Sequence, residues 1–304
     1  MFNLTGTGPL LRVVLLACSA IIGGFGPRTQ AATVTDDTGR QVVVAPPPLR
    51  IASLAPSTTA MLFAAGAGAQ VVATTDYSLE PPAARRIPRI GDANALDLER
   101  LIGLRPDVVV AWPGGESPAE TARIARLGIP VYRVKVDRLA DLAASIRRLG
   151  QLAGTRAAAA RSARDIDTRL ARLTRRYAHG RTLTVLLQIW GRPLYTVGGT
   201  QPMSDALRIC GARNVFGDLS DLAPAIGTEA VIARNPDLII AVGSPSETQA
   251  WLAPWRRFTG LRAVRAGDLI AFDDQRLTRL GPGMLDATQA LCERIDAARE
   301  RLSP

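Results

Sequence analysis

Two stretches of this 304-residue chain carry the same pattern about half a chain apart, and few architectures accommodate that. The first runs from Glu99 to Ala111 and the second from Glu229 to Ala241. Each opens on a glutamate and has an isoleucine three places on, Ile102 or Ile232. Each then reaches a Pro-Asp pair, Pro106-Asp107 or Pro236-Asp237, followed by a short apolar run. A helix has to stop just before each proline, because the residue preceding proline is pushed out of the α region. The runs Val108–Ala111 and Leu238–Ala241 are too short for helices and read as strands buried on both faces, as in a parallel sheet. A helix-turn-strand unit used twice predicts two similar α/β lobes.

The rest of the chain fits around these units. Thr33–Val44 alternates about the turn Asp36–Gly39, an edge hairpin. A short strand at Arg50–Leu54 runs through Pro56, Ser57 and Thr58 into an apolar helix from Ala60 to Ala65, with Ser57 or Thr58 as its expected N-cap. That arrangement puts helix N–H groups at the carboxyl edge of a parallel sheet, where open α/β folds bind ligands, although an ordinary capped helix reads the same way locally. A strand at Gln70–Thr75 precedes Asp76-Tyr77, and Trp112–Gly115 forms an aromatic Gly/Pro loop beyond the first repeated strand. A strand at Pro130–Val136 and a helix capped by Asp137 close the first lobe. Arg156–Tyr177, with few breakers, spans about 35 Å as a helix and suits a strut between lobes. The second lobe holds a strand to Ile189, the loop from Trp190 to Gly199, a helix over Met203–Cys210, the second repeat, a last strand at Asp268–Phe272 and a C-terminal helix. The expected fold is therefore α/β, with two Rossmann-like lobes on parallel sheets (32–153 and 181–304) joined by one bridging helix (154–180).

The formal charge of +10 is carried almost wholly by arginine, Lys135 being the one lysine. Nucleic-acid binding needs basic residues gathered on one face with base-stacking aromatics among them. Here the arginines are spread through helices and aromatics make up 5%, so nucleic acid is not an expected partner. Residues 1–31 read as an export signal: Arg12, an apolar stretch from Val13 to Ile22, and small residues at Ala31-Ala32 for cleavage. The alternative is a lipoprotein signal with Cys18 as the lipid-attachment residue and a membrane anchor as its consequence. Removal of the signal leaves Cys210 and Cys292, an even pair that in an exported protein suggests a disulfide; two buried free thiols are the alternative.

With these pieces in order, the mature chain resembles the periplasmic substrate-binding proteins that feed ABC importers of cobalamin, haem and ferric siderophores, most closely the vitamin B12-binding subgroup. The resemblance rests on the order and spacing of Ile51–Ser57, Leu98-Glu99-Arg100, Ala111–Gly115, Cys210-Gly211 with Asn214-Val215-Phe216, and Leu291-Cys292. It implies a monomeric binder whose ligand, a cobalamin-type corrinoid, lies between the lobes, and a permease dimer engaged by one acidic residue per lobe, Glu99 and Glu229. The implied ligand residues are Pro56, Ser57, Tyr77, Trp112, Gly114, Trp190, Asp274 and Arg279, and the implied disulfide is Cys210–Cys292. Three positions depart from the pattern: Ala93 and Ala223 where a subgroup member carries Trp, and Ala60 where the family carries Glu.

Two other readings compete. The same fold can hold haem, which takes a Tyr or His axial ligand and finds only Tyr77 well placed, or a ferric siderophore, which calls for an Arg-lined cleft. An exported enzyme on this fold lacks its motifs: there is no G-x-G-x-x-G or P-loop, no Gly-x-Ser-x-Gly elbow and no His/Cys metal cluster. Ser57 has no histidine to activate it, since the lone His179 closes a helix and suits its dipole. Neither catalytic residues nor resident cofactor nor metal are expected.

Overall fold

The computed structural model describes residues 1–2, 32–44, 47, 50–92, 95–114 and 117–302. The export signal, Cys18 and Ala93 lie outside the described residues. The hairpin forms from β1 (Ala32–Thr35) and β2 (Gln41–Val44), paired antiparallel. Its turn is tied down by carboxylates: Asp36 Oδ1 accepts from Thr38 N at 2.9 Å and Arg40 N at 3.0 Å. Asp37 accepts from Lys135 N at 3.1 Å and from Arg148 Nη1 at 2.6 Å.

The first sheet contains β3 (Ile51–Ser53), β4 (Val71–Thr74), β5 (Val108–Ala111) and β6 (Val131–Arg133), all parallel in the order β4-β3-β5-β6. Around it lie α1 (Pro56–Ala64), α2 (Leu98–Gly103), α3 (Pro118–Arg126) and α4 (Leu139–Ala153). After α5 (Arg156–Tyr177), the second lobe comprises β7 (Leu183–Gln188), α6 (Pro202–Ile209), β8 (Ala212–Asn214), α7 (Thr228–Arg234), β9 (Leu238–Val242), α8 (Pro245–Leu252), α9 (Arg262–Arg265), β10 (Leu269–Phe272) and α10 (Gly283–Leu302). Its sheet runs β10-β9-β7-β8, again parallel. Both lobes thus place their first strand between their second and third, so each sheet has a crevice between strands one and three at its carboxyl end.

The repeated unit recurs in detail. Arg105 and Asn235, the residues before the two prolines, both sit in the left-handed region, at φ 45° and 43°. The aspartate after each proline then clasps the lobe's first strand. Asp107 N donates to Arg50 O at 2.8 Å while Asp107 Oδ2 accepts from Arg50 N at 3.0 Å. Asp237 N donates to Thr184 O at 2.8 Å while Asp237 Oδ2 accepts from Thr184 N at 2.8 Å.

α5 joins the lobes. It buries Ala159, Ala163, Ile166, Leu170, Leu173 and Tyr177, a stripe at helical spacing. The stripe belongs to one apolar core that takes in α4, α6 and α10 and reaches both sheets. α4 and α5 approach closely because Gly150 has no side chain: a Cβ there would lie 2.2 Å from the Ala159 Cβ. Cys210 and Cys292 form a disulfide that ties the end of α6 to α10. Closing a loop with a sequence separation of 82 stabilises the fold by about 4 kcal/mol in the chain-entropy model.

Two expected caps move by a residue or more. α1 starts at Pro56, whose fixed φ and missing N–H suit the first helical position, so Ala55 becomes the N-cap in place of Ser57 or Thr58. Thr58 instead reaches back to accept from Ala55 N at 3.1 Å. α4 is capped at Arg138, not Asp137, because Asp141 three residues on accepts from Arg138 N at 2.9 Å. Asp137 pairs with Lys135 at 2.9 Å. The expected strand at Pro130–Val136 shortens to Val131–Arg133, since its partner β5 ends at Ala111.

Candidate ligand-binding site

A cleft of about 340 Å³ opens between the lobes over the carboxyl end of the first sheet. The first lobe supplies the β3–α1 turn (Leu54 to Ser57), the segment Thr75–Tyr77 after β4, Asp92, and Trp112 just beyond β5. Facing them are Gln201 and Pro202 at the start of α6, Leu277–Leu280, and Met284 in α10. These walls are mostly apolar with a few polar groups between, the composition of a small-molecule site.

Buried hydroxyls hold the first wall in place. Ser53 Oγ and Thr58 Oγ1 lie 2.7 Å apart, Thr59 Oγ1 donates to Ser53 Oγ at 2.8 Å, and Thr59 Oγ1 and Thr74 Oγ1 are 2.7 Å apart. The β3–α1 turn is therefore locked to β4, with Ser57 Oγ buried in the wall without a hydrogen-bond partner. The next turn is fixed by Arg89 Nη1, which donates to Thr75 O at 2.9 Å and Ser78 O at 3.0 Å. Tyr77 projects from it with a left-handed backbone (φ 63°) and 72% exposure. A large apolar ring held out in an unfavourable backbone conformation is the kind of strain found at ligand sites.

Pro56, Ser57, Tyr77, Trp112 and Arg279 thus meet in one cleft. Gly114 lies behind Trp112, in an adjoining cavity of about 310 Å³ that also holds Lys135 and Asp137. A Cβ at Gly114 would fall 2.5 Å from the Trp112 ring and 3.0 Å from Leu222 Cδ1, so the glycine lets Trp112 stand where it does. Two further expected residues, like Gly114, do not line the cleft. Trp190 is half-exposed at the end of β7, with its ring 6.0 Å from that of Trp251. Asp274 caps the turn Gln275–Thr278 and is gripped by Arg276, Nε to Oδ1 at 2.9 Å and Nη2 to Oδ2 at 2.7 Å. That grip holds the Asp274 carboxyl below the usual carboxylate range.

The profile of the periplasmic binding protein family matches residues 51–276. The chain belongs to that family. It is a family of binding proteins, not of enzymes. The vitamin B12-binding protein of Photorhabdus laumondii is 30% identical over 82% of this chain and 88% of its own. That of Pectobacterium carotovorum is 31% identical over 82% and 89%. The crystal structure of the periplasmic vitamin B12-binding protein of Vibrio cholerae superposes with a TM-score of 0.76 at 29% identity, covering 84% of this chain and 99% of the other. A periplasmic haem-binding protein from Pseudomonas aeruginosa shares the fold at 24% identity and a TM-score of 0.68, covering 81% and 91%.

Within this periplasmic binding protein, the cleft residues not read from the sequence as ligand contacts include Asp76, Asp92 and Gln201. Asp76 follows β4 as Tyr77 does, so the rule that residues beyond strand ends line the crevice would have found it. Asp92 and Gln201 reach the cleft only through tertiary packing. Ala60 faces the other lobe, where a Cβ on Gly281 would lie 3.2 Å from its own. Glu99 and Glu229 are both exposed in the first turns of α2 and α7, and neither carboxylate has a hydrogen bond or ion pair among the described residues. Ile102 and Ile232 accompany them, at 46% and 42% exposure.

Proposed function

We propose that this protein captures a cobalamin-type corrinoid in the inter-lobe cleft and delivers it to an ABC importer. The observation that carries the reading is the cleft itself, which is lined by the aromatic residues Tyr77 and Trp112 together with the apolar and polar side chains of Leu277–Leu280. A flat macrocycle with an amide-bearing rim matches apolar walls with a few polar groups among them. The names of the relatives support it. Glu99 and Glu229 are the contacts with the permease dimer: two exposed carboxylates, one per lobe at the same register of the repeat, suit charge-assisted pairing with arginines of a two-fold partner. The signal over residues 1–31 brings the chain to the periplasm as a monomer. The intact mass of the mature protein separates cleavage near Ala31 from lipid attachment at Cys18.

Calorimetry with cyanocobalamin, haemin and a ferric hydroxamate on purified mature protein tests the ligand. Micromolar or tighter binding of cyanocobalamin alone is the expected result. Failure to bind it, with tight haemin or siderophore binding, would move the protein to the second reading. Tyr77, exposed in the cleft, is the residue that favours haem as that alternative, because a phenolate can serve as an axial ligand.

A further inference from the structure

The charge in the cleft runs against the charge of the chain. Overall the protein carries a formal +10, most of it arginine. Of the acidic and basic side chains among the described residues that line the cavity, however, two are carboxylates, Asp76 and Asp92, and one is a guanidinium, Arg279. The backbone sets the two carboxylates on adjacent segments: Asp76 N donates to Gly91 O at 2.8 Å, one residue before Asp92. Asp92 Oδ1 is partly engaged, accepting from Ala95 N at 3.1 Å. The Asp76 carboxylate is exposed and has no hydrogen bond or ion pair among the described residues. Arg279, the one cationic side chain, donates to Gln275 Oε1 at 3.3 Å. In the same wall, Ser57 Oγ is buried without a partner.

An ionised carboxylate can only accept hydrogen bonds. It welcomes the N–H groups of an amide and repels another carboxylate, more strongly when ligand excludes water from between them. A site built for propionates or for an anionic iron chelate would instead present free arginines, which this chain has in abundance elsewhere. We propose that Asp76 is a specificity-determining residue, selecting a ligand with a carboxamide rim over one with a carboxylate rim. This deepens the corrinoid reading and rests on it for the identity of the preferred ligand. It also supplies the physical reason why the same fold would reject haem here: haem is a macrocycle of similar shape whose rim carries two propionates.

The test compares wild type with Asp76→Asn, a substitution at an unbonded, exposed side chain that keeps an acceptor oxygen and removes the charge. The ligands are cyanocobalamin, its three monocarboxylic acids (each with one propionamide hydrolysed) and haemin, measured by calorimetry at low ionic strength and again in 1 M NaCl. Wild type is expected to bind at least one of the acids roughly tenfold more weakly than cyanocobalamin, as a like-charge contact near a protein surface implies. In Asp76→Asn that ratio should fall to about threefold or less, and high salt should narrow it in wild type, since the Debye length there is only about 3 Å. The ratio is the readout, and the affinity for cyanocobalamin itself is not, because Asp76 lines the cleft. A ratio unchanged between the two proteins for all three acids would overturn the proposal, as would equal weakening of every ligand, the mark of a purely structural role. If neither protein binds cyanocobalamin, the corrinoid reading fails separately. The role of Asp76 is then decided by haemin: a several-fold gain in Asp76→Asn upholds it, and unchanged affinity refutes it.

Discussion

The duplicated Pro-Asp clasp invites a direct comparison, because one substitution can be made at two equivalent places that differ in burial. Asp237 is 4% exposed and Asp107 is only partly buried. Asp237 Oδ2 accepts from both Thr184 N at 2.8 Å and Thr184 Oγ1 at 2.7 Å. Its other oxygen faces Arg262 at 3.2 Å and Arg181 at 3.5 Å, on side chains 43% and 53% exposed. Hydrogen bonds to an ionised acceptor contribute about 1.5–3 kcal/mol each, and pairs with solvent-exposed arginines add at most about 1 kcal/mol. Asp237→Ala should therefore cost about 3–5 kcal/mol. Asp107 accepts from Arg50 N at 3.0 Å in a position that water reaches, so Asp107→Ala should cost about 1–2 kcal/mol. Asp237→Asn, which keeps one acceptor, should fall between. Urea unfolding of the signal-free protein, followed by far-UV circular dichroism, gives the comparison directly, provided the m-value is unchanged and the transition stays two-state. Equal costs at the two sites, or a larger one at Asp107, would refute the claim that burial sets the strength of the clasp.

Charge reversal at both Glu99 and Glu229 should abolish ligand-dependent stimulation of the reconstituted importer while leaving cyanocobalamin affinity unchanged; a fall in affinity would remove both residues from a docking role. Replacing Cys210 and Cys292 together by alanine should lower unfolding free energy by about 4 kcal/mol, read from the shift in urea midpoint. Gly114→Ala should weaken ligand binding about tenfold with little loss of stability, since the new methyl group displaces the Trp112 ring that forms one wall of the cleft; unchanged affinity in calorimetry would show that Trp112 does not touch ligand. Because Arg276 depresses the folded-state pKa of Asp274, the contribution of this pair is fully present above the unfolded carboxylate value and fades as pH falls through the lower folded one. Melting curves of wild type and Asp274→Asn should accordingly differ at neutral pH and converge in strong acid.

What could be read from the sequence was what local chemistry decides. Proline ends the helices, an unbroken apolar run is a buried strand, and both signals survive in any context, so the repeated units and the bridging helix appear where the residues place them. The clasp that follows each proline was not legible, because its partners Arg50 and Thr184 lie more than fifty residues upstream and the pairing exists only once the sheets form. The caps of α1 and α4 moved because Pro56 and Asp141 offered the chain better solutions than the expected Ser57, Thr58 and Asp137. In the cleft, strand ends place Ser57 and Trp112, while Tyr77 is singled out through the family resemblance. Trp190 and Asp274 are implied by the resemblance, and in this structure they pair with Trp251 and Arg276.

The fate of Trp190 explains why two matching crevices do not make two matching sites. In the second lobe the residues just past β7 and β9 include Gly191 and Gly243, and the Trp251 indole lies over both: a Cβ would meet it at 2.5 Å on Gly191 and at 3.0 Å on Gly243. Below it, Trp255 Nε1 donates to Gln188 Oε1 at 2.9 Å, at the last residue of β7. Aromatic side chains from α8 and the turn after it thus cover the second crevice from within. In the first lobe the corresponding strand ends lead to Ser57 and Trp112, and the space above them stays open to ligand. The repeat therefore duplicates the framework and the carboxylates of Glu99 and Glu229, which are exposed and need only register. The binding surface is not duplicated, because it depends on which bulky residue each lobe folds over its own crevice.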